Sequence, residues 1–343
     1  MIANRPPTGP APFPDVRSAL LLTIGAMFAG LLVGVLFFDL GPLAAEGIGT
    51  ALGIGAVATL AARRVAEPQA ARIGLAPLPW RAWPLILCLV PAVLIASELD
   101  NFAYDVSPKT EAPASEPATA PEPATKSDER ESDATDPTEP AESAESAGTN
   151  DANETTGTTE PTSSTGMTAI AEAVAEAAAN AEPPAPIIDP NDPFSLMEAS
   201  IVVVGIAPVI NEFLFRGVIQ QGLVSQVGLM RGVTLTALLW TMLHPPAASS
   251  LPRFAVAWIS SFAFGWLLGM VRVASGSILG STLLASLWAS VGLASLALQD
   301  RIDVPGMNVD GTHLPAAVTV ASVGLVAWTA RRVFVEARAR VRG

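Results

Sequence analysis

One cysteine and two histidines in 343 residues set the first limits on the chemistry of this chain. Cys88 has no partner of its own kind, which excludes intrachain disulfides and cysteine-based metal sites, and it reads as a small core hydrophobe. His244 and His313 are too few for a dedicated zinc centre, which takes three or four protein ligands. Metal-free chemistry without a cofactor is therefore expected. Charge is scarce too, at 15% of residues, with 19 Lys and Arg against 32 Asp and Glu. A net charge of −13 without a clustered basic face argues against a nucleic-acid partner.

Apolar sequence takes the place of charge. Half of the residues are hydrophobic and the mean hydropathy is +0.44, which excludes an ordinary soluble globule and points to a membrane protein. The acidity is local. Residues 105–192 hold 20 Asp and Glu and three Lys and Arg, a balance of −17, so the rest of the chain carries a net +4. This segment is rich in Pro, Ala, Glu, Thr and Ser, has few large apolar residues, and reads as a disordered acidic linker. Within it, 167–180 is alanine-rich enough for a short helix, and Asn153-Glu154-Thr155 has the N-glycosylation pattern.

Apolar runs at 18–38, 47–62, 80–96, 194–215, 233–243, 254–271, 278–298 and 314–329 predict about eight transmembrane helices, each needing ~20 residues to span a bilayer. The first reads as an uncleaved anchor, because a cleaved signal peptide has a shorter apolar core. Pro91 in the third suggests a kink, and Gly30 and Gly34 in the first suggest a helix-packing contact. The expected fold is all-α: a polytopic helical bundle interrupted by the linker. Its parts are a disordered N-terminus at 1–17, a three-helix membrane region at 18–104, the linker at 105–192, a second membrane domain at 193–331 and a basic tail at 332–343.

The arginines choose an orientation. Arg63, Arg64, Arg72, Arg81, Arg231, Arg272, Arg331, Arg332, Arg338, Arg340 and Arg342 all fall on the side of the N-terminus in an eight-span arrangement, which the positive-inside rule makes cytoplasmic. The termini are then cytoplasmic and the linker extracytoplasmic, with Arg253 as the exception. The expected location is the bacterial plasma membrane, with the lipid bilayer as the chain's surroundings.

Charge inside a membrane run needs a reason, because it costs several kcal/mol at bilayer depth by most estimates. Glu212 and Arg216 lie in the fourth run, four residues apart and so on one helical face. The stretch Asn211-Glu212-x-x-x-Arg216-Gly217 resembles the first motif of the CPBP family, the CAAX-protease and bacteriocin-processing membrane proteins, where it reads Glu-Glu-x-x-x-Arg-Gly. Trp240-Thr241-Met242-Leu243-His244 is similar to the family's second motif. Gly265, Gly269 and Gly276-Ser277-Ile278 resemble the approach to its third.

The resemblance implies intramembrane peptide-bond hydrolysis of a membrane-embedded or lipidated protein. In that scheme the first Glu and the second-motif His activate water, and a His and an Asn of the third motif stabilise the oxyanion. A desolvated Glu suits the first task, and donors at the developing charge suit the second. In this chain Asn211 replaces the family Glu, and an amide cannot act as a general base. The third-motif positions fall on Ala285 and Ala289, or in a register shifted by one on Ser286 and Ser290, which are weak oxyanion candidates. Glu212 and His244 remain as candidates for water activation, with Arg216 as the ion-pair partner of Glu212. Two readings stand: an intramembrane endopeptidase with an altered site, and a non-catalytic pseudoprotease that binds a membrane partner in the same cavity. A transporter would need more intramembrane polar groups and an internal repeat.

Overall fold

The computed structural model describes residues 13–107, 187–244, 250–309 and 311–342. The linker residues 108–186, including the alanine-rich stretch and Asn153, lie outside it. Among the described residues the fold is helical, with an isolated bridge from Pro305 to Val309 and no β-strand. The main helices are α1 (Val16–Leu36), α2 (Pro42–Ala62), α3 (Gln69–Ile73), α4 (Ala82–Asp105), α5 (Pro193–Val227), α6 (Leu229–Leu243), α7 (Leu251–Ser275), α8 (Ile278–Leu298) and α9 (Ala316–Arg342).

Seven of these are long and apolar enough to cross a membrane, so the chain fits an integral membrane protein. The shortest expected span, α6, has 15 residues and reaches only about 22 Å at 1.5 Å per residue. It ends at His244, because the residue before a proline is pushed out of helical geometry. Ordered helix continues to Asp105 in α4, and the Asp192 carboxylate caps α5 through the amides of Phe194 and Ser195. The basic tail forms the last turns of α9.

Large apolar side chains on α1 such as Leu21, Leu31, Leu32 and Leu36 remain exposed, as a lipid-facing helix requires. The opposite face of α1 meets α2 through glycine. A Cβ added at Gly49 would sit 2.5 Å from the Gly30 carbonyl oxygen, and one at Gly53 would collide with that of Ala29. Small residues let the two backbones touch, which in a bilayer substitutes for hydrophobic attraction between helices. Pro91 interrupts α4: the helix breaks after Leu87 and restarts at Ala92, across a turn closed by tighter bonds such as Leu89 N–H to Ile86 O. At the centre of the second membrane region, α7 packs against α4, α6, α8 and α9.

The two ends of the bundle differ in chemistry. At one end Arg272 Nη2 donates to the Arg72 carbonyl oxygen at 3.0 Å. At the other, Arg253 forms a two-pronged pair with Asp100 and lies over the Tyr104 ring. The exceptional arginine is thus neutralised by the C-terminal half of α4.

The connection between α8 and α9 is latched to α4 at that same end. His313 Nδ1 donates to Glu98 Oε1 and its Nε2 to Asp105 Oδ2, each at 2.9 Å, while Leu314 N–H donates to Glu98 Oε2. Ionised carboxylates only accept, so this geometry calls for the imidazolium with both ring N–H groups present. Bonds to Asp105 and then Glu98 accordingly hold His313 above the ordinary imidazole value. A raised folded-state value means that the latch contributes fully below about pH 6.5 and is lost as pH rises through the raised value. Limited proteolysis of the 301–315 connection is expected to accelerate as pH rises through that window, and His313→Gln to remove the pH dependence. An unchanged pH profile in His313→Gln would refute the latch.

Candidate functional site

The site begins with the irregularity of α5. Pro208 cannot supply a backbone donor, and the turn before it, Ser200–Ile206, widens to π-helical bonding. A second π-helical turn, Phe213–Ile219, follows Glu212 and carries Arg216. Such widened turns recur at functional positions because they re-aim side chains without ending the helix.

Glu212 and Arg216 are about 1% exposed, and Arg216 Nη1 lies 2.9 Å from Glu212 Oε1. Arg216 also donates through Nη2 to the Gly265 carbonyl oxygen at 2.8 Å, and its guanidinium stands over the Trp240 ring at 5.2 Å. One turn on, Gln220 Nε2 donates to the Gly269 carbonyl oxygen at 2.8 Å. The two bonds form a ladder between α5 and α7 with a four-residue step on each helix. Glycine on α7 makes the approach to α5 and to the neighbouring α6 feasible: a Cβ at Gly265 would lie 3.5 Å from Arg216 Nη2 and 3.0 Å from Trp240, and one at Gly269 would lie 3.0 Å from Gln220 Oε1 and 2.8 Å from Val233. Gly269→Ala is therefore expected to cost about 1–3 kcal/mol through overpacking, measured as a lowered unfolding midpoint in detergent. A neutral substitution would mean that the helices can separate at that point.

His244 is held from both sides. Its Nδ1 lies 2.9 Å from the Trp240 carbonyl oxygen and its Nε2 lies 3.0 Å from Asn211 Nδ2. A carbonyl only accepts, so Nδ1 carries the hydrogen. In the neutral ring Nε2 then accepts from the Asn211 amide. The imidazole also lies against Trp240, with ring centroids 4.8 Å apart. The Nε2 lone pair of His244 is thus occupied by the Asn211 side chain.

Asn211, Glu212, Trp240 and His244 border one cavity of about 390 Å³. Asp100, Val203, Val256, Ser260, Phe264 and Trp288 complete much of its wall, in the half of the bundle where α4 ends and α7 begins. Ala285 and Ala289 face it; Ser286 and Ser290 are not among its lining residues, and the Ser290 hydroxyl donates to the Ser286 carbonyl oxygen at 2.7 Å within α8. Three residues lining the cavity each hold a buried side-chain atom without a hydrogen-bond partner among the described residues: Asn211 Oδ1, Glu212 Oε2 and Ser260 Oγ. Among the described residues no group of three or more His, Cys, Asp or Glu is arranged to hold a metal ion.

Of the positions singled out in the sequence, Asn211, Glu212, Arg216 and His244 come together. Gln220 went unread, although its four-residue offset from Arg216 matches that between Gly265 and Gly269. Ser260 gave no local signal, since a serine in an apolar helix commonly bonds its own backbone.

Residues 193–291, less than a third of the chain, match the family model described as type II CAAX prenyl endopeptidase Rce1-like. No curated protein and no solved structure matches the chain.

Proposed function

From a second membrane region similar to the type II CAAX prenyl endopeptidases, we propose that this chain uses the protease cavity without its hydrolytic chemistry, to bind an apolar segment of a membrane-embedded or lipidated protein. One observation carries this reading: the Asn211 amide is bonded to the His244 nitrogen that would otherwise activate water. The oxyanion side is also bare, because Ala285 and Ala289 offer no side-chain donor. The walls and the unpartnered atoms describe the occupant. Val203, Val256, Phe264 and Trp288 suit an apolar chain, while Asn211 Oδ1 and Glu212 Oε2 accept from N–H groups such as those of a locally unwound backbone. With α6 counted as an eighth crossing, the arginine bias supports a cytoplasmic location for both termini, with the cavity reached from the extracytoplasmic half.

A second reading, an endopeptidase with an altered site, rests on Glu212 Oε2. This atom is buried, and Glu212 lines the same cavity as His244. Binding separates from folding in one substitution. Ala289→Trp fills the cavity, and photocrosslinking of a model transmembrane peptide to the full-length protein in nanodiscs is expected to fall about tenfold, with the peptide recovered intact from wild type. Equal crosslinking by both proteins would refute the cavity as the binding site.

A further inference from the structure

A second cavity, of about 640 Å³, lies at the arginine-rich end of the bundle, and the wall it presents is cationic. Arg216, Arg272 and Arg340 line it together with Gln220, Gln221 and Ser275, and none of its lining residues is acidic. Arg216 is already neutralised by Glu212. Arg272 is not: it is only 9% exposed, its Nη2 is used by the Arg72 carbonyl oxygen, and its Nε has no hydrogen-bond partner among the described residues. A buried guanidinium without a counter-anion is costly, and a second positive charge beside it adds to the cost. Arg340 supplies that second charge.

Two tight turns build the cradle. Gly74 and Gly276 both have positive φ, 85° and 73°. A Cβ at Gly74 would collide with the Arg272 guanidinium, and one at Gly276 with that of Arg340. The turns are joined to each other: Ile278 N–H donates to the Gly74 carbonyl oxygen at 2.9 Å, and the Ser277 hydroxyl to that of Ala76 at 2.6 Å. Both arginines are thus pressed against backbone that is itself fixed. Val224, Val273 and Val341 provide apolar wall beside them.

We infer that this cavity is a phosphate site, in which Arg272 and Arg340 bind the phosphate group of an anionic phospholipid or of a soluble phosphate compound. A tetrahedral anion accepts from several guanidinium N–H groups at once, a geometry in which arginine exceeds lysine. It would satisfy Arg272 Nε and separate two like charges that have no acid between them.

The test uses the full-length protein in nanodiscs of phosphatidylcholine alone, with added phosphatidylglycerol, or with millimolar inorganic phosphate in the buffer. Wild type is expected to unfold at a higher temperature with phosphatidylglycerol. Arg340→Gln, an exposed position, is expected to keep the wild-type midpoint in phosphatidylcholine but to need about tenfold more anionic lipid for the same shift. Arg338→Gln, on the same helix but outside the cavity, should respond like wild type. Arg272→Lys keeps the charge but loses Nε, and its response should weaken as well. A shift with inorganic phosphate alone, lost in Arg340→Gln, would assign the site to soluble phosphates. An equal response in wild type and Arg340→Gln, or no response to either phosphate carrier, would overturn the inference.

Discussion

Replacing Arg216 by alanine is expected to destabilise the second membrane region by about 3–5 kcal/mol, the usual cost of leaving one member of a buried ion pair alone. The structure places three dependants on this side chain: the Glu212 carboxylate, the Gly265 carbonyl oxygen and the face of Trp240. Glu212 would be left as a buried carboxylate whose other oxygen already lacks a partner. The double replacement Glu212→Leu with Arg216→Met removes both charges while keeping volume, and buried pairs exchanged for apolar residues are often neutral or stabilising. Most of the lost stability should therefore return. Unfolding midpoints in detergent for the two single variants and the double variant decide the matter. A double variant no better than Arg216→Ala would show that the bond to Gly265 or the Trp240 contact, not the ion pair, carries the stability.

The second large effect is a gain. Asn211→Glu with Ala285→His and Ala289→Asn is expected to confer cleavage of a model transmembrane peptide well above the wild-type level. The carboxylate would arise where the Asn211 amide now lies 3.0 Å from His244, and the two donors would project from positions that already border the cavity. A positioned general base contributes about 10² to 10⁴ in rate, and one oxyanion donor about 10² to 10³. A rise of at least about 10²-fold over wild type is expected. Failure of the folded triple variant to cleave would mean that the backbone of α5 or α8, and not only its side chains, lacks the hydrolytic geometry.

Much of this architecture was legible because membrane helices announce themselves by length and apolarity, as the runs that became α1, α7 and α8 did. The ion pair was legible for a related reason: two charges at a four-residue spacing in an apolar run have each other as the nearest remedy. The full extent of α5, 35 residues with two π-helical turns, was not, since a widened turn depends on how Pro208 and the neighbouring helices pack and leaves no period of its own in the sequence. The bond from Asn211 to His244 was also beyond reach. Positions 211 and 244 lie on different helices, and only the break of α6 before Pro245 turns the imidazole toward α5. His313 falls between two apolar runs; its role as a bridge between Glu98 and Asp105 follows from the fold of the connection onto α4.

The most direct measurement is mass spectrometry of a model transmembrane peptide incubated with the purified full-length protein in nanodiscs, alongside Glu212→Gln and His244→Ala. A site whose imidazole lone pair is held by Asn211 should return intact peptide from all three proteins. Peptide fragments produced by wild type and absent from both variants would contradict the account and assign water activation to Glu212 and His244.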